Sequence, residues 1–142
     1  MTKKFALKNY QHPDKFGELL GYRIDKMNNA NGSAEVSIQL TEKHLSPSGK
    51  IHGGVISGFF DFACGAAVFA TMDPHDFCST VEIKVNYFRP LFTGDSLKCK
   101  SQVVYRGNRL RVVSAFLYRK KEKKPVAMAS ATFNIVSKKN QR

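Results

Sequence analysis

The sequence has no tryptophan, and its three cysteines, Cys64, Cys78 and Cys99, form no CxxC pair. An odd number leaves one thiol unpaired in any disulfide scheme, which speaks against a secreted disulfide framework. A reducing compartment, the cytoplasm, is the expectation. Zinc spacing such as CxxC or HxxxH is missing as well, so no metal site is expected. No apolar run reaches the ~18 residues of a membrane span, because Asp61 interrupts the best candidate. The opening MTKKFALKNYQHPDKF holds no run of signal-peptide length. Repeats, linkers and low-complexity segments are absent too. Acidic residues are scarce, 11 against 23 lysines and arginines, for a net charge of +12. Such a field favours anionic partners: nucleic acid, acidic membranes or small phosphorylated ligands. Charge alone would support a nucleic-acid-binding domain, but no recognition motif or patterned aromatic platform accompanies it. Neither nucleic acid nor a membrane is therefore expected as a partner.

What remains is an ordinary globular composition, with 42% hydrophobic and 24% charged residues in 142. That length fits one domain, 1–142, with 1–12 and 137–142 as flexible tails. Eleven phenylalanines predict a core built largely on Phe packing. The segment PDKFGELLG (13–21) reads as a short helix, with Pro13 at its start and Gly21 as its stop. Two strands follow, GYRIDKM and SAEVSIQL, joined by NNANG. After a loop over 41–52, an apolar helix runs from Gly53 or Gly54 to about Met72, and DPHD (73–76) ends it. Four strands complete the chain: 80–88, 96–105, 109–120 and 125–136. In the first of them Val81, Ile83, Val85 and Tyr87 alternate with Glu82, Lys84 and Asn86. A helix this apolar must be covered on most sides, by a curling sheet and by another subunit. The fold class is α+β, an antiparallel sheet wrapped around a long central helix, in an oligomer.

One carboxylate stands in that helix. On a helical wheel Asp61 shares its side with Gly54, Ser57, Gly58, Cys64, Gly65 and Val68, a stripe of mostly small residues. Glycine inside a helix is worth roughly 1 kcal/mol less than alanine, so Gly58 and Gly65 predict a close approach by a ligand chain or a neighbouring helix. An acid there is either a structural acceptor or a base or nucleophile in an apolar cleft. The preceding His52-Gly53-Gly54 offers unobstructed N–H groups at the positive end of the helix dipole, suited to a developing oxyanion. His52 could polarise, orient or cap; a supporting role is favoured. There is no GxSxG, and Cys64 lacks a cationic setting, so serine or cysteine nucleophiles are not expected.

The pattern G-x-I-H-G-G, the acid nine residues after the His and the later strands together resemble the PaaI-like acyl-CoA thioesterases of the hotdog-fold superfamily. The likeness extends from FGELLG through NGSAEVSIQL, SGKIHGGVISGFFDFACGAA, VEIKVNYFRPLFTGD and RGNRLRVV to VAMASATF. It implies a hotdog fold, protomers that join their sheets into dimers or tetramers, and active sites at the dimer interface. It implies hydrolysis of an acyl-CoA, with no cofactor beyond the CoA that is part of the substrate. Asp61 would be the general base or nucleophile, and the Gly53 N–H, beside His52, would polarise the carbonyl. Gly54 would belong to the substrate site. Thr80, counted back from NYFRP, matches a Ser/Thr that orients water from the opposite protomer. Many members carry Asn six residues before the His, where this chain has Ser46, a shorter group without the amide's two donors. Arg106, Gly107 and Arg109, on a turn between strands, are candidates for the CoA nucleotide, and RKKEKK (119–124) is a further basic turn. A non-catalytic acyl-CoA-binding module is the main alternative. A hotdog dehydratase would need His52 as its base.

Overall fold

The computed structural model describes residues 14–137. Pro13, the tail 1–12 and residues 138–142 lie outside them. The elements are α1 (Lys15–Leu20), β1 (Arg23–Asn28), β2 (Ser33–Gln39), a 3-10 turn (Glu42–His44), α2 (Gly53–Phe69), β3 (Phe77–Tyr87), β4 (Ser96–Arg106), β5 (Leu110–Arg119) and β6 (Ala127–Val136). The six strands form one antiparallel sheet in the order β1-β2-β4-β5-β6-β3, wrapped on α2. This is the hotdog arrangement. No helix among the described residues is long and apolar enough to cross a membrane.

Local chemistry explains the short helix. Asp14 caps α1 by accepting from the Gly17 N–H (2.8 Å), and Gly21 ends it in the left-handed region (φ 85°). In β2, Ala34, Val36 and Ile38 point inward while Ser33, Glu35 and Ser37 point out. The helix-facing side of the sheet is lined by Ala115, Ala129 and Ala131 beside Val36, Val113 and Leu117. These small and branched side chains let α2 lie close against the sheet.

The core is accordingly less phenylalanine-rich than the composition suggests. Phe59, Phe60, Phe69 and Phe133 are buried, but Phe16, Phe77, Phe88, Phe92 and Phe116 are exposed in the single chain. The small-residue sheet leaves room for few large rings. Other differences are positional. α2 ends at Phe69, three residues before Met72, and beyond it Thr71 donates its hydroxyl to the Val68 carbonyl (2.8 Å). β3 starts at Phe77, since Phe77, Cys78 and Ser79 pair with Val136, Ile135 and Asn134 of β6. A bulge between Thr80 and Glu82 breaks the expected alternation and leaves Val81 62% exposed.

All three thiols are free. Burial pushes Cys64 up to about 12 and Cys78 up to about 11, and the Asp61 charge adds to both. Cys99 is raised by burial and then by Cys64. A folded pKa above the unfolded one adds stability below the ordinary thiol pKa, and that stability fades as pH rises toward 11 to 12. At pH 8 the native protein should therefore react with iodoacetamide about a hundredfold more slowly than free cysteine. Labelling of any of the three at the free-cysteine rate, read by mass spectrometry, would contradict this.

Candidate active site

α2 begins where a tight loop delivers it. Ser46 to Lys50 form a closed turn: the Ser46 N–H donates to the Lys50 carbonyl (2.7 Å), and Gly49 has φ 80°. Leu45 bridges Ile51, and the His52 N–H donates to the His44 carbonyl (2.8 Å). His44, not singled out by the sequence, anchors this loop from a buried position. Its Nε2 lies 2.7 Å from the Leu20 carbonyl, which can only accept, so Nε2 carries the proton. Nδ1 then accepts from the Thr41 N–H (2.9 Å). His44 thus ties the end of α1 to the entry of α2.

His52 is the N-cap of α2. Its Nδ1 accepts from the Gly54 N–H (2.8 Å), a capping bond that leaves the Gly54 N–H occupied. Gly54 therefore offers no free donor to a substrate, contrary to the reading of both glycines as exposed N–H groups. The Gly53 carbonyl accepts from the Tyr87 hydroxyl (2.9 Å). The peptide between Gly53 and Gly54 is thus held at its oxygen by β3 and at its nitrogen by His52. The neighbouring Gly53 N–H, exposed in the first turn, makes no hydrogen bond among the described residues. It is a fixed, free donor at the positive end of a helix of seventeen residues. A groove of about 260 Å³ opens beside it, lined by Gly53, Ile56, Tyr87, Phe88, Arg89 and Leu91 among others.

Asp61, two turns further along, is half-buried. The Thr80 hydroxyl donates to its Oδ1 at 2.7 Å. The bond is within one chain, whereas the resemblance brings Thr80 from the opposite protomer. The β3 bulge directly after Thr80 re-aims that stretch of strand. The carboxylate's field reaches Tyr22, Cys64 and Cys78, whose ionisation it opposes in addition to their burial.

The small stripe has a tenant from the same chain. The Tyr22 hydroxyl donates to the Val55 carbonyl (2.7 Å) and lies where a Cβ on Gly58 would come within 2.8 Å of it. Phe16 is 3.3 Å from the same point. Gly58 is small to admit Tyr22, not a ligand chain or another helix. At Gly65 a Cβ would meet only ordinary contact with Phe133 (3.8 Å).

The remaining sequence candidates divide. Ser46 is half-buried, with its hydroxyl 2.7 Å from that of Ser48 in the loop. Arg106 donates to the Thr71 carbonyl (2.8 Å), and the buried Arg111 donates to the Thr71 hydroxyl (2.9 Å). Both guanidiniums thereby complement the C-terminal end of α2. Burial and then Arg106 lower the Arg111 pKa. Gly107 turns the chain by donating its N–H to the Leu110 carbonyl (2.9 Å), and Arg109 is exposed. This basic turn lies at the far end of α2 from Gly53 of the same chain, about 25 Å away by helix rise. Among the described residues no cluster of His, Cys, Asp and Glu could hold a metal ion.

Eight residues separate Gly53 from Asp61 on one straight helix, about 12 Å at 1.5 Å per residue. A single carbonyl group cannot touch both within one chain.

Residues 48–126 match the family model described as the thioesterase superfamily. A thioesterase family protein of Silicibacter pomeroyi is 28% identical with a TM-score of 0.78, over 92% of this chain and 93% of that one. The PaaI protein from the phenylacetic acid degradation operon of E. coli shares the fold at 23% identity (TM-score 0.78; 87% of this chain, 86% of that one). So does a Streptococcus mutans protein solved bound to acetyl CoA, at 23% identity (TM-score 0.73; 82% and 89%).

Proposed function

The chain belongs to the thioesterase superfamily, and from that premise we propose that it hydrolyses the thioester of an acyl-CoA at sites shared between two copies. The observation that carries this reading is the pairing of Thr80 with Asp61 (2.7 Å) in a chain whose clamped Gly53 N–H is free. The carboxylate takes a proton from water as the water oxygen attacks the thioester carbon. The carbonyl electron pair moves onto oxygen, where the Gly53 N–H of the other copy stabilises it. Collapse of the intermediate breaks the C–S bond, and the leaving thiolate recovers the proton from Asp61. With Asp61 as nucleophile, the same carboxylate instead attacks the carbonyl carbon and expels the CoA thiolate, forming a mixed anhydride; water opens it to the free acid and the Asp61 carboxylate, and the proton released goes to the thiolate.

Assembly follows from the sheet. Among the described residues β3 is an edge strand of the sheet that pairs with β6 alone from Cys78 to Tyr87, and Val81, Tyr87 and Phe88 are more than half exposed along or beside it. A long apolar edge invites a second strand. Antiparallel pairing of β3 with its own copy would set the Tyr87 end of one strand against the Thr80 end of the other. That brings Gly53 of one protomer toward Asp61 of its partner. Acyl-CoA as the substrate class draws support from the Streptococcus mutans neighbour bound to acetyl CoA. Arg109, exposed at the β4–β5 turn, is a candidate for a CoA phosphate, whereas Arg106 is engaged by Thr71.

Turnover of a panel of short, medium, long and aryl acyl-CoAs, read by thiol release, tests the proposal. Hydrolysis of none of them would overturn it. A non-catalytic acyl-CoA-binding module is the second reading, favoured by Ser46, whose hydroxyl pairs with Ser48. It predicts binding of the same panel without thiol release. Thr80→Val separates the role of the donor. Hydrogen bonds to charged groups are worth about 1.5–3 kcal/mol, so kcat should fall by about tenfold to a hundredfold, with KM little changed. Thr80→Ser should restore it, and wild-type kcat in the Val variant would remove Thr80 from the site.

A further inference from the structure

On the outer face of the sheet, away from α2, the β5–β6 turn meets strand β4. Lys98 and Lys100 point outward there, opposite the buried Leu97, Cys99 and Ser101. Cross-strand register places Lys98 beside Tyr118. With Lys120, Lys121 and Lys123 from the turn they line a concavity of about 400 Å³. Six cationic side chains line it against a single carboxylate, Glu122. That carboxylate is already shared by Arg119 (3.8 Å) and Arg89 (3.9 Å). Arg119 is further held by Asp95 (3.2 Å), and Lys98 shares Glu35 with Lys26. Lys100, Lys120, Lys121 and Lys123 form no ion pair among the described residues.

The turn itself carries an independent mark. Lys121 has φ 72°, and among the described residues it is the one non-glycine in the left-handed region. A lysine there costs about 1 kcal/mol or more relative to a relaxed backbone, and such strain gathers at ligand sites. Four unneutralised ammonium groups around one hollow repel each other until an anion enters.

We propose that this cleft binds a small molecule carrying several phosphate groups. Its volume is that of a small-ligand pocket rather than of an extended polymer track. Lysine ammoniums serve phosphates as point charges without demanding one orientation. The site stands apart from Asp61, on the opposite face of the sheet, and does not depend on the thioester reading. The phosphates could belong to the nucleotide end of CoA or to a free nucleotide, and the test distinguishes these sources.

Adenosine 3′,5′-bisphosphate is the probe, titrated calorimetrically into the full chain at constant salt. Two variants remove the charge from different elements: Lys120→Ala/Lys121→Gly/Lys123→Ala on the turn and Lys98→Ala/Lys100→Ala on the strand. Glycine at 121 keeps the left-handed turn. Each variant should raise Kd by about tenfold or more while keeping a cooperative melting transition. Equal affinity in wild type and both variants overturns the proposal. So does the lack of measurable binding to the wild type. If KM for an acyl-CoA rises while that for the same acyl group on pantetheine holds, the occupant is the CoA nucleotide. If both KM values hold while bisphosphate affinity falls, it is a free phosphorylated molecule.

Discussion

Asp61→Asn should lower kcat for thioester hydrolysis by about a hundredfold to ten-thousandfold without unfolding the protein. The amide has the size of the carboxylate, and its oxygen can still accept from the Thr80 hydroxyl, so the contact at 2.7 Å has a replacement. What disappears is the group that takes the proton or attacks the carbonyl. The substitution also removes the negative charge that opposes ionisation of Cys78 and Cys64. Alkylation of Cys78 above pH 9 should therefore become faster in the variant, which reports loss of the charge independently of turnover. A kcat equal to wild type with faster alkylation would show that the charge is gone and was never needed.

Gly53→Pro should cost about a hundredfold to a thousandfold in kcat, by deleting one N–H and little else. The position accepts proline. Gly53 is the first residue of α2, where proline is favoured because its missing N–H has no helical partner. His52 before it has φ −63° and ψ 131°, the extended conformation a residue preceding proline adopts. A Cβ there would meet only the Tyr87 ring and hydroxyl at 3.6 Å or more. Unchanged hydrolysis would exclude the Gly53 N–H as the oxyanion donor. Mixing the two variants tests the sharing of sites. If Gly53 and Asp61 act across a two-fold interface, a mixed dimer has one doubly defective site and one intact site. Random exchange should then recover roughly a quarter of wild-type activity. If each chain carried its own site, mixing would recover nothing.

The elements of this fold were legible wherever local chemistry determines them. Gly21 stops α1, His-Gly-Gly opens α2, and the two-residue period marks β2. Errors arose where distant residues decide. α2 stops at Phe69, and beyond it Thr71 is held by Arg106 and Arg111 from the far side of a strand turn, which no window around Thr71 reveals. Val81 belongs to an alternating pattern, yet a bulge set by pairing with β6 turns it out. The phenylalanine count misjudged the core because a sheet lined by alanines has no space for more rings. At the site, the types were readable and the partners were not. Asp61, Gly53 and His52 stand out by their spacing. Tyr87, Tyr22 and His44 act through contacts of 24 to 34 residues in sequence separation and carry no local signal. The small stripe was visible, but its tenant could have been any group of the right size.

Strand β3 holds both halves of this arrangement, Thr80 against the carboxylate and Tyr87 against the helix entry. Seven residues of one ladder set their spacing. A one-residue slip of β3 on β6 would turn both side chains to the opposite face together. Thr80 and Tyr87 are an odd number of residues apart, and the bulge after Thr80 is what brings both onto the helix-facing side. A change that straightens the bulge would part the Thr80 hydroxyl from Asp61 while leaving Tyr87 on the helix entry.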